Sequence, residues 1–237
     1  MNRIINFHDV RDIAWFERII KLLINKYNMI SAQDLELYYY DKKKLRNSCH
    51  LTVDDGDISF YDVIYPIIKK YNIPVSLFVS PAAAVEQKNF WFQEILDYDK
   101  EKLKGITASF LGVKIETVNN YPVHHILKLL KISEIWEIIK MYRARFNIEP
   151  KRCRNMGTKQ LTELDREGLV ALGAHTLTHP ILLNENDIDA EYEIVRSINK
   201  LSEITGSKIK YFAYPNGVPG LDFGKREIDI LQKSGIK

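Results

Sequence analysis

The chain has 237 residues, a length that suits one α/β domain of ordinary size or two small ones. Hydrophobic residues make up 46% and charged residues 27%, a balance that excludes a mostly disordered chain, and the net charge is only +3. No basic stripe with interleaved aromatic residues runs the length of a helix or strand, so nucleic acid is not an expected partner.

Short apolar runs alternate with longer amphipathic segments, a pattern typical of strands and helices that build a parallel sheet. The predicted strands are Ile4–Phe7, Leu51–Val53, Val75–Val79, Leu169–Ala174 and Lys210–Ala213. The predicted helices are Asp12–Tyr27, Phe60–Tyr71, Thr158–Glu167, Asp187–Thr205 and Lys225–Ser234. Thr158 and Asp187 are residues of the kind that cap helix starts.

Residues 88–150 interrupt this alternation with a long stretch of mostly helical pattern. We interpret them as a helical insertion within one domain that spans residues 1–237. The basic cluster at residues 42–46 lies between apolar segments and is predicted to be a solvated loop.

Cysteine usage and the amino terminus both indicate an intracellular protein. Cys49 and Cys153 lie far apart and in no metal-binding spacing, so reduced thiols are expected, with a single bridge between them as the alternative. The sequence "MNRIINFHDV" reaches His8 and Asp9 before an apolar segment of signal-peptide length develops, and no apolar run is long enough to span a membrane. These features predict a cytoplasmic location without an integral membrane segment, although a chain trimmed at its start would look the same.

Two carboxylates stand side by side in "LTVDDG", where the second predicted strand ends. An ordinary turn would explain Asp55 followed by Gly56, with Asp54 facing solvent and no function implied. The pair gains a chemical interpretation only if other reactive side chains lie nearby.

Two histidines directly follow the fourth predicted strand, in "GAHTLTHP". With one turn of chain between them, the imidazoles of His175 and His179 can point at one metal ion. Pro180 disfavours a regular helix at His179, so a looped arrangement is expected. Two ordinary histidines in a strand-end loop are the alternative.

A third apolar run, "YFAYPNG", also ends in a turn, and the backbone N–H groups after Pro215 are suited to stabilise a negative oxygen. Because the carboxyl ends of strands in parallel β/α folds meet on one face, the three motifs are expected to converge. One carboxylate and two imidazoles suit zinc or a similar divalent ion, which lowers the pKa of a bound water to about 7. A second carboxylate can then take the proton of that water, which would explain the paired aspartates.

In this order, "LTVDDG", "HTLTH" and "FAYPNG" resemble the motifs of the polysaccharide deacetylase family, the NodB-homology group of metal-dependent carbohydrate N-deacetylases. The resemblance extends from His8 to Gly235, and the insertion is its least matched part. It implies an α/β fold, namely a distorted (β/α) barrel with about seven parallel strands. It also implies an enzyme that removes acetyl groups from N-acetylated sugars.

Carried across by position, the resemblance makes Asp54 the general base and Asp55 a ligand of the metal ion. His175 and His179 complete the ligand set of one divalent ion, with zinc expected and cobalt or nickel as alternatives. The backbone N–H of Asn216 would help to hold the oxyanion of the tetrahedral intermediate.

Substrate contacts are expected from Tyr214 and Pro215 in the third motif and from Trp91 in the insertion. Trp91 lies in "NFWF", which offers an aromatic platform for a sugar ring or, alternatively, anchors the insertion to the core.

The sequence departs from the family pattern at two places. Ala213 stands where the family often has an arginine that orients the catalytic aspartate. The carboxy-terminal Leu-x-His motif, which supplies the general acid, is not found, which leaves open whether the chain is truncated at that end.

His8 in "IINFHDV" resembles the amino-terminal His motif of members with a circularly permuted barrel and is a candidate acid that Asp9 would orient. A backbone-bonded structural histidine is the alternative. His50, His124 and His125 are expected to be structural or at the surface.

The predicted function is therefore a metal-dependent hydrolase that removes acetyl groups from the N-acetylated sugars of a polysaccharide or glycan precursor. Two other functions stay open at this stage. The missing motifs would also fit a catalytically impaired glycan-binding relative, and the same barrel could carry another metal-dependent hydrolase, such as a phosphoesterase.

Overall fold

A computed structural model describes residues 1–236 of the chain; Lys237, the last residue of the predicted domain, lies outside the described residues. The strands are β1 (Arg3–Phe7), β2 (Asn28–Met29), β3 (Ser48–Val53), β4 (Val75–Val79) and β5 (Val170–Ala174). The helices are α1 (Ile13–Lys26), α2 (Ala32–Tyr40), α3 (Tyr65–Lys70), α4 (Pro81–Glu86), α5 (Trp91–Glu94), α6 (Lys100–Leu111), α7 (Ile115–Asn119), α8 (Val123–Leu127), α9 (Ile132–Phe146), α10 (Thr158–Glu167), α11 (Asp187–Thr205) and α12 (Lys225–Lys233). A π-helical segment covers Phe60–Ile64, and a short 3-10 helix covers Leu182–Asn184.

The strands form one parallel sheet in the order β1–β3–β4–β5, and β2 pairs with the start of β3. Strands β3 and β4 are buried along almost their whole length, as strands covered on both faces must be. The predicted α/β fold with a parallel sheet is confirmed. The expected number of about seven strands is not confirmed, because residues 1–236 contribute five.

The prediction of a strand at Lys210–Ala213 is wrong. This segment forms a single parallel bridge, between Phe212 and Ala174, with one backbone hydrogen bond on each side of it. Pro215 and a left-handed Asn216 follow at once, so the chain turns away before a ladder can develop. The position of this segment beside the end of β5 is nevertheless the one that the motif requires.

The predicted helices are present, and three of the five have shifted boundaries. Helices α10 and α11 have the predicted bounds, but their N-caps are Gly157 and Asn186 rather than Thr158 and Asp187. The Asn186 side chain accepts a hydrogen bond from the backbone N–H of Asp189, so α11 is capped one residue earlier than expected. The predicted helix Phe60–Tyr71 is divided between the π-helical segment and α3.

Strand β2 and helix α2 were not predicted. Strand β2 has only two residues, too few for a periodic pattern. The start of helix α2 could have been predicted from the sequence, because Ser31 and Asp34 have the spacing of a capping box and form one in the structure. The basic residues after α2 lie in an exposed loop as predicted, and Cys49 and Cys153 are free thiols.

Buried apolar side chains form two main clusters. The larger one packs the sheet against its flanking helices and includes Phe16, Leu51 and Leu77. The second lies within the insertion and includes Leu127 and Ile138. Among residues 1–236, no helix combines the length and apolarity needed to cross a bilayer.

Gly56 shapes the turn that follows β3, with φ at +77°, and a Cβ atom there would lie 2.9 Å from Cγ1 of Val79. We expect Gly56→Ala to lower the free energy of unfolding by about 2–4 kcal/mol, because it adds a steric overlap to the backbone strain. Gly206→Ala is the matched control, since Gly206 has φ at +76° with nothing within 4 Å of the added atom, and should cost only about 1–2 kcal/mol. Equal losses in urea denaturation would contradict a steric constraint from Val79.

Candidate metal centre and active site

The carboxyl ends of β1, β3 and β5 open into one cavity of about 640 Å³, and helices of the insertion form its opposite wall. All predicted site residues except Pro215 line this cavity: His8, Asp54, Asp55, Trp91, His175, His179, Tyr214 and Asn216. Pro215 lies in the same loop as its neighbours but is buried. The three sequence motifs therefore converge on one site.

Asp55, His175 and His179 bring their ligand atoms together at the floor of the cavity. Oδ1 of Asp55 lies 3.2 Å from Nε2 of His179 and 3.6 Å from Nε2 of His175, and one ligand atom from each residue lies within 4.8 Å of the others. Ligands at zinc-like bond lengths around a tetrahedral ion are separated by about 3.4 Å. The three side chains are thus spaced as ligands of a single ion would be.

The chemistry of these donor atoms also fits a cation. Oδ1 of Asp55 is buried and has no hydrogen-bond partner among residues 1–236, which is costly for a carboxylate oxygen. Burial opposes ionisation of Asp55, but the two imidazoles outweigh it and hold the pKa of this carboxyl well below its usual value. A divalent ion would satisfy the ionised oxygen directly.

The ring of His175 is oriented by a backbone carbonyl. Nδ1 of His175 lies 2.8 Å from the carbonyl oxygen of Ala213, so the proton on Nδ1 is donated there and Nε2 faces Asp55. His179 is held differently, against the stacked rings of Phe90 and Phe92, each with its centroid 5.1 Å from that of the imidazole. Ala213, at the position where the family often has an arginine, therefore orients His175 through its backbone carbonyl.

Asp54 is oriented by a residue that the sequence did not reveal. Nδ2 of Asn6, on β1, donates a 2.7 Å hydrogen bond to Oδ2 of Asp54, and the Thr52 hydroxyl donates to Oδ1 of Asn6. Nε2 of His8 lies 3.9 Å from the same carboxylate oxygen, and its side chain is 59% exposed. Asp9 pairs with Arg11 and Arg154, so it does not orient His8.

The third motif places its residues at the rim of the cavity. Asn216 has a left-handed backbone, with φ at +60°, and Tyr214 stacks on Phe223 with ring centroids 3.7 Å apart. Burial, with a smaller contribution from Glu227, raises the pKa of Tyr214 to about 12, so it remains a neutral phenol. Trp91 is 5% exposed and belongs to the apolar cluster of the insertion, so it anchors that segment as well as lining the cavity.

The fold resembles those of known proteins. The solved structure of IcaB from Ammonifex degensii superposes with a TM-score of 0.67 at 19% identity, covering 99% of this chain and 81% of that one. A de-N-acetylase from Aggregatibacter actinomycetemcomitans gives a TM-score of 0.61 at 20% identity, with 99% and 85% covered. The BpsB deacetylase domain from Bordetella bronchiseptica gives 0.60 at 16% identity, again with 99% and 85% covered. At these identities the likeness shows a shared fold, and the sequence matched no curated protein.

The sequence profile of the polysaccharide deacetylase family matches residues 41–237. The chain belongs to the polysaccharide deacetylase family. All three motifs fall inside the matched region, whereas β1, with Asn6 and the following His8, lies before it.

In this member of the polysaccharide deacetylase family, a buried glutamate on α11 holds the loop that carries both histidines. The carboxylate of Glu193 accepts hydrogen bonds from the backbone N–H groups of Leu177 and Thr178, at 2.8 and 2.9 Å, and from the Thr178 hydroxyl. Thr176 and His179 both have positive φ, a conformation that non-glycine residues hold only when their surroundings impose it. Glu193 supplies that constraint.

We expect Glu193→Gln to weaken metal binding by about tenfold, because an amide cannot accept all three hydrogen bonds and the loop would lose its fixed shape. The free energy of unfolding should fall by about 1–3 kcal/mol. Metal titration and urea denaturation measure the two effects. Glu203→Gln is the matched control, because Glu203 lies on the same helix with its side chain 49% exposed. Unchanged metal affinity in Glu193→Gln would show that Glu193 does not shape the site.

Proposed function

We propose that this protein is a metal-dependent carbohydrate N-deacetylase that removes acetyl groups from N-acetylated sugars of a polysaccharide or glycan precursor. The observation that carries the proposal is the placement of Asp55, His175 and His179 around one point of the cavity, with Asp54 beside them. Membership of the polysaccharide deacetylase family supports the same reaction class. The cytoplasmic location remains a prediction from the sequence.

Asp55, His175 and His179 would hold the ion. A divalent metal ion bound there would lower the pKa of water to about 7 and polarise the acetyl carbonyl. Asp54, oriented by Asn6, then accepts the proton of the attacking water. The low exposure of the two histidines shields these candidate ligands from bulk solvent.

The remaining steps are assigned to residues at the rim. The backbone N–H of Asn216 donates to the oxygen that becomes negative as water adds to the carbonyl. His8, which reaches the cavity from the end of β1, donates a proton to the leaving amine of the sugar. Tyr214 and Trp91, which line the cavity, contact the sugar itself, whereas the buried Pro215 shapes the turn between Tyr214 and Asn216.

The test is acetate release from N-acetylated chitooligosaccharides, measured together with elemental analysis of the purified protein. We expect acetate release that stops after treatment with a chelator and returns when zinc, cobalt or nickel is added. A parallel assay with phosphate esters separates this reaction from phosphoesterase activity. Sugar binding without acetate release by the metal-loaded protein would contradict the proposal and favour a glycan-binding role.

A further inference from the structure

The wall that the insertion contributes to the cavity has an excess of positive charge. Lys100 and Lys104 on α6, and Lys128 at the end of α8, line this wall, against the single carboxylate of Glu101. His124, which was expected at the surface or in a structural role, lines the wall as well. The opposite wall carries Asp54 and Asp55, whose charge a divalent ion would balance.

Within the described part of the chain, two of these lysines lack an acidic partner. Lys104 pairs with Glu101 at 3.1 Å and also donates to the carbonyl oxygen of Asn119. By contrast, no carboxylate among residues 1–236 lies within 4.0 Å of Nζ of Lys100 or Lys128. The charges of Lys100 and Lys128 are thus available to a ligand in the cavity.

Lys128 is held next to the candidate catalytic residues. Its Nζ donates a 2.7 Å hydrogen bond to Oδ1 of Asn216, which joins the insertion to the third motif across the cavity. An anion bound by Lys128 would therefore lie beside the Asn216 loop, where the acetylated sugar is placed by the proposed function.

Lys100 and Lys128 both lie close enough to His124 to disfavour its protonated form. The pKa of His124 is lowered chiefly by burial and further by the nearby charges of His125, Lys128 and Lys100. Gathering like charges around a cavity costs electrostatic free energy, which an anionic ligand recovers when it binds. Lysine binds phosphate as a point charge, and a phosphate monoester carries a charge of about −1.5 to −2 at pH 7, whereas a carboxylate carries −1. Two lysines without acidic partners therefore attract a phosphoryl group more strongly than a carboxylate.

We propose that the acetylated sugar accepted by this protein carries a phosphoryl group, and that Lys100 and Lys128 bind it. This inference rests on the proposed function and specifies its substrate class. The cavity volume of about 640 Å³ is within the range of sites for small ligands, which suits a sugar phosphate.

The test compares acetate release from three N-acetylated substrates by the metal-loaded protein. They are N-acetylglucosamine 1-phosphate, the neutral methyl glycoside of N-acetylglucosamine, and a disaccharide of N-acetylglucosamine with glucuronic acid. We expect kcat/KM to be highest for the phosphate, by about tenfold over the neutral glycoside, with an advantage that shrinks as salt is added. The double variant Lys100→Gln, Lys128→Gln should remove most of this preference, and the double lysine-to-arginine variant should retain it.

Lys102→Gln is the matched control, because Lys102 lies on α6 but outside the cavity, over the ring of Phe146. It should leave the substrate preference unchanged. Equal kcat/KM for the phosphate and the neutral glycoside, or a preference for the uronate, would overturn the inference while the proposed function stands. A phosphate preference that survives in the double glutamine variant would overturn it too.

If no substrate releases acetate, the proposed function fails, and calorimetry then decides the inference separately. Wild-type protein that binds N-acetylglucosamine 1-phosphate about tenfold more tightly than the double glutamine variant would support it. Equal binding by the two proteins would overturn it.

Discussion

Asp54→Asn protein is expected to keep its metal ion and to release acetate about a thousandfold more slowly than the wild type. The substitution preserves the size of the side chain and leaves Asp55, His175 and His179 in place, so metal binding persists. An amide cannot accept a proton from water, and the loss of a general base typically costs about 10²–10⁴ in rate. Acetate release under saturating substrate and elemental analysis of the same sample measure both properties.

Asp62→Asn provides the matched control, because Asp62 is an exposed aspartate in the segment that follows the same turn. It should have wild-type activity. Full deacetylation by Asp54→Asn protein would show that another group takes the proton, and loss of metal from that protein would show that Asp54 is itself a ligand.

His175→Ala should abolish both metal binding and acetate release. His175 is 2% exposed, and its imidazole can provide a nitrogen ligand whose orientation is set by the carbonyl of Ala213. With two protein ligands left, we expect metal affinity to fall by at least about a hundredfold, more than typically follows the loss of a residue that only supports a ligand. Elemental analysis after dialysis measures retained metal, and circular dichroism establishes that the variant is folded.

His125→Ala is the control for His175→Ala, because His125 is exposed on α8 and does not line the cavity. Metal content and acetate release should both be unchanged. A folded His175→Ala protein that retains stoichiometric metal would exclude His175 as a ligand and would contradict the site described above.

The core of the site could be predicted from the sequence because its chemistry lies in short local patterns. Asp54 and Asp55 follow one strand, and His175 and His179 follow another. The rule that parallel strands end on one face was enough to predict that these residues converge. The resemblance of the motifs then indicated the family, which the match over residues 41–237 shows.

The residues that support this core were not predictable in the same way. Asn6 binds Asp54, which lies 48 positions along the chain, and Glu193 binds the backbone of residues 15 and 16 positions before it. Neither residue belongs to a sequence pattern that distinguishes it from an ordinary polar residue. Their roles depend on which side chains the folded chain brings to within hydrogen-bond distance. Strand prediction is limited in the same way. The apolar run around Phe212 predicted a strand but did not reveal that only one bridge, to Ala174, would form.

The separate apolar cluster of the insertion has a consequence for how such a protein can diversify. The wall that faces the metal ligands is supported by its own buried side chains, among them Leu127 and Ile138, rather than by those beneath the sheet. Mutations in that wall away from Phe90 and Phe92, which contact His179, can therefore be absorbed locally, without moving the candidate catalytic carboxylates and imidazoles. Members of this family can acquire different sugar preferences by rebuilding the rest of this segment while the residues at the carboxyl ends of the strands stay unaltered.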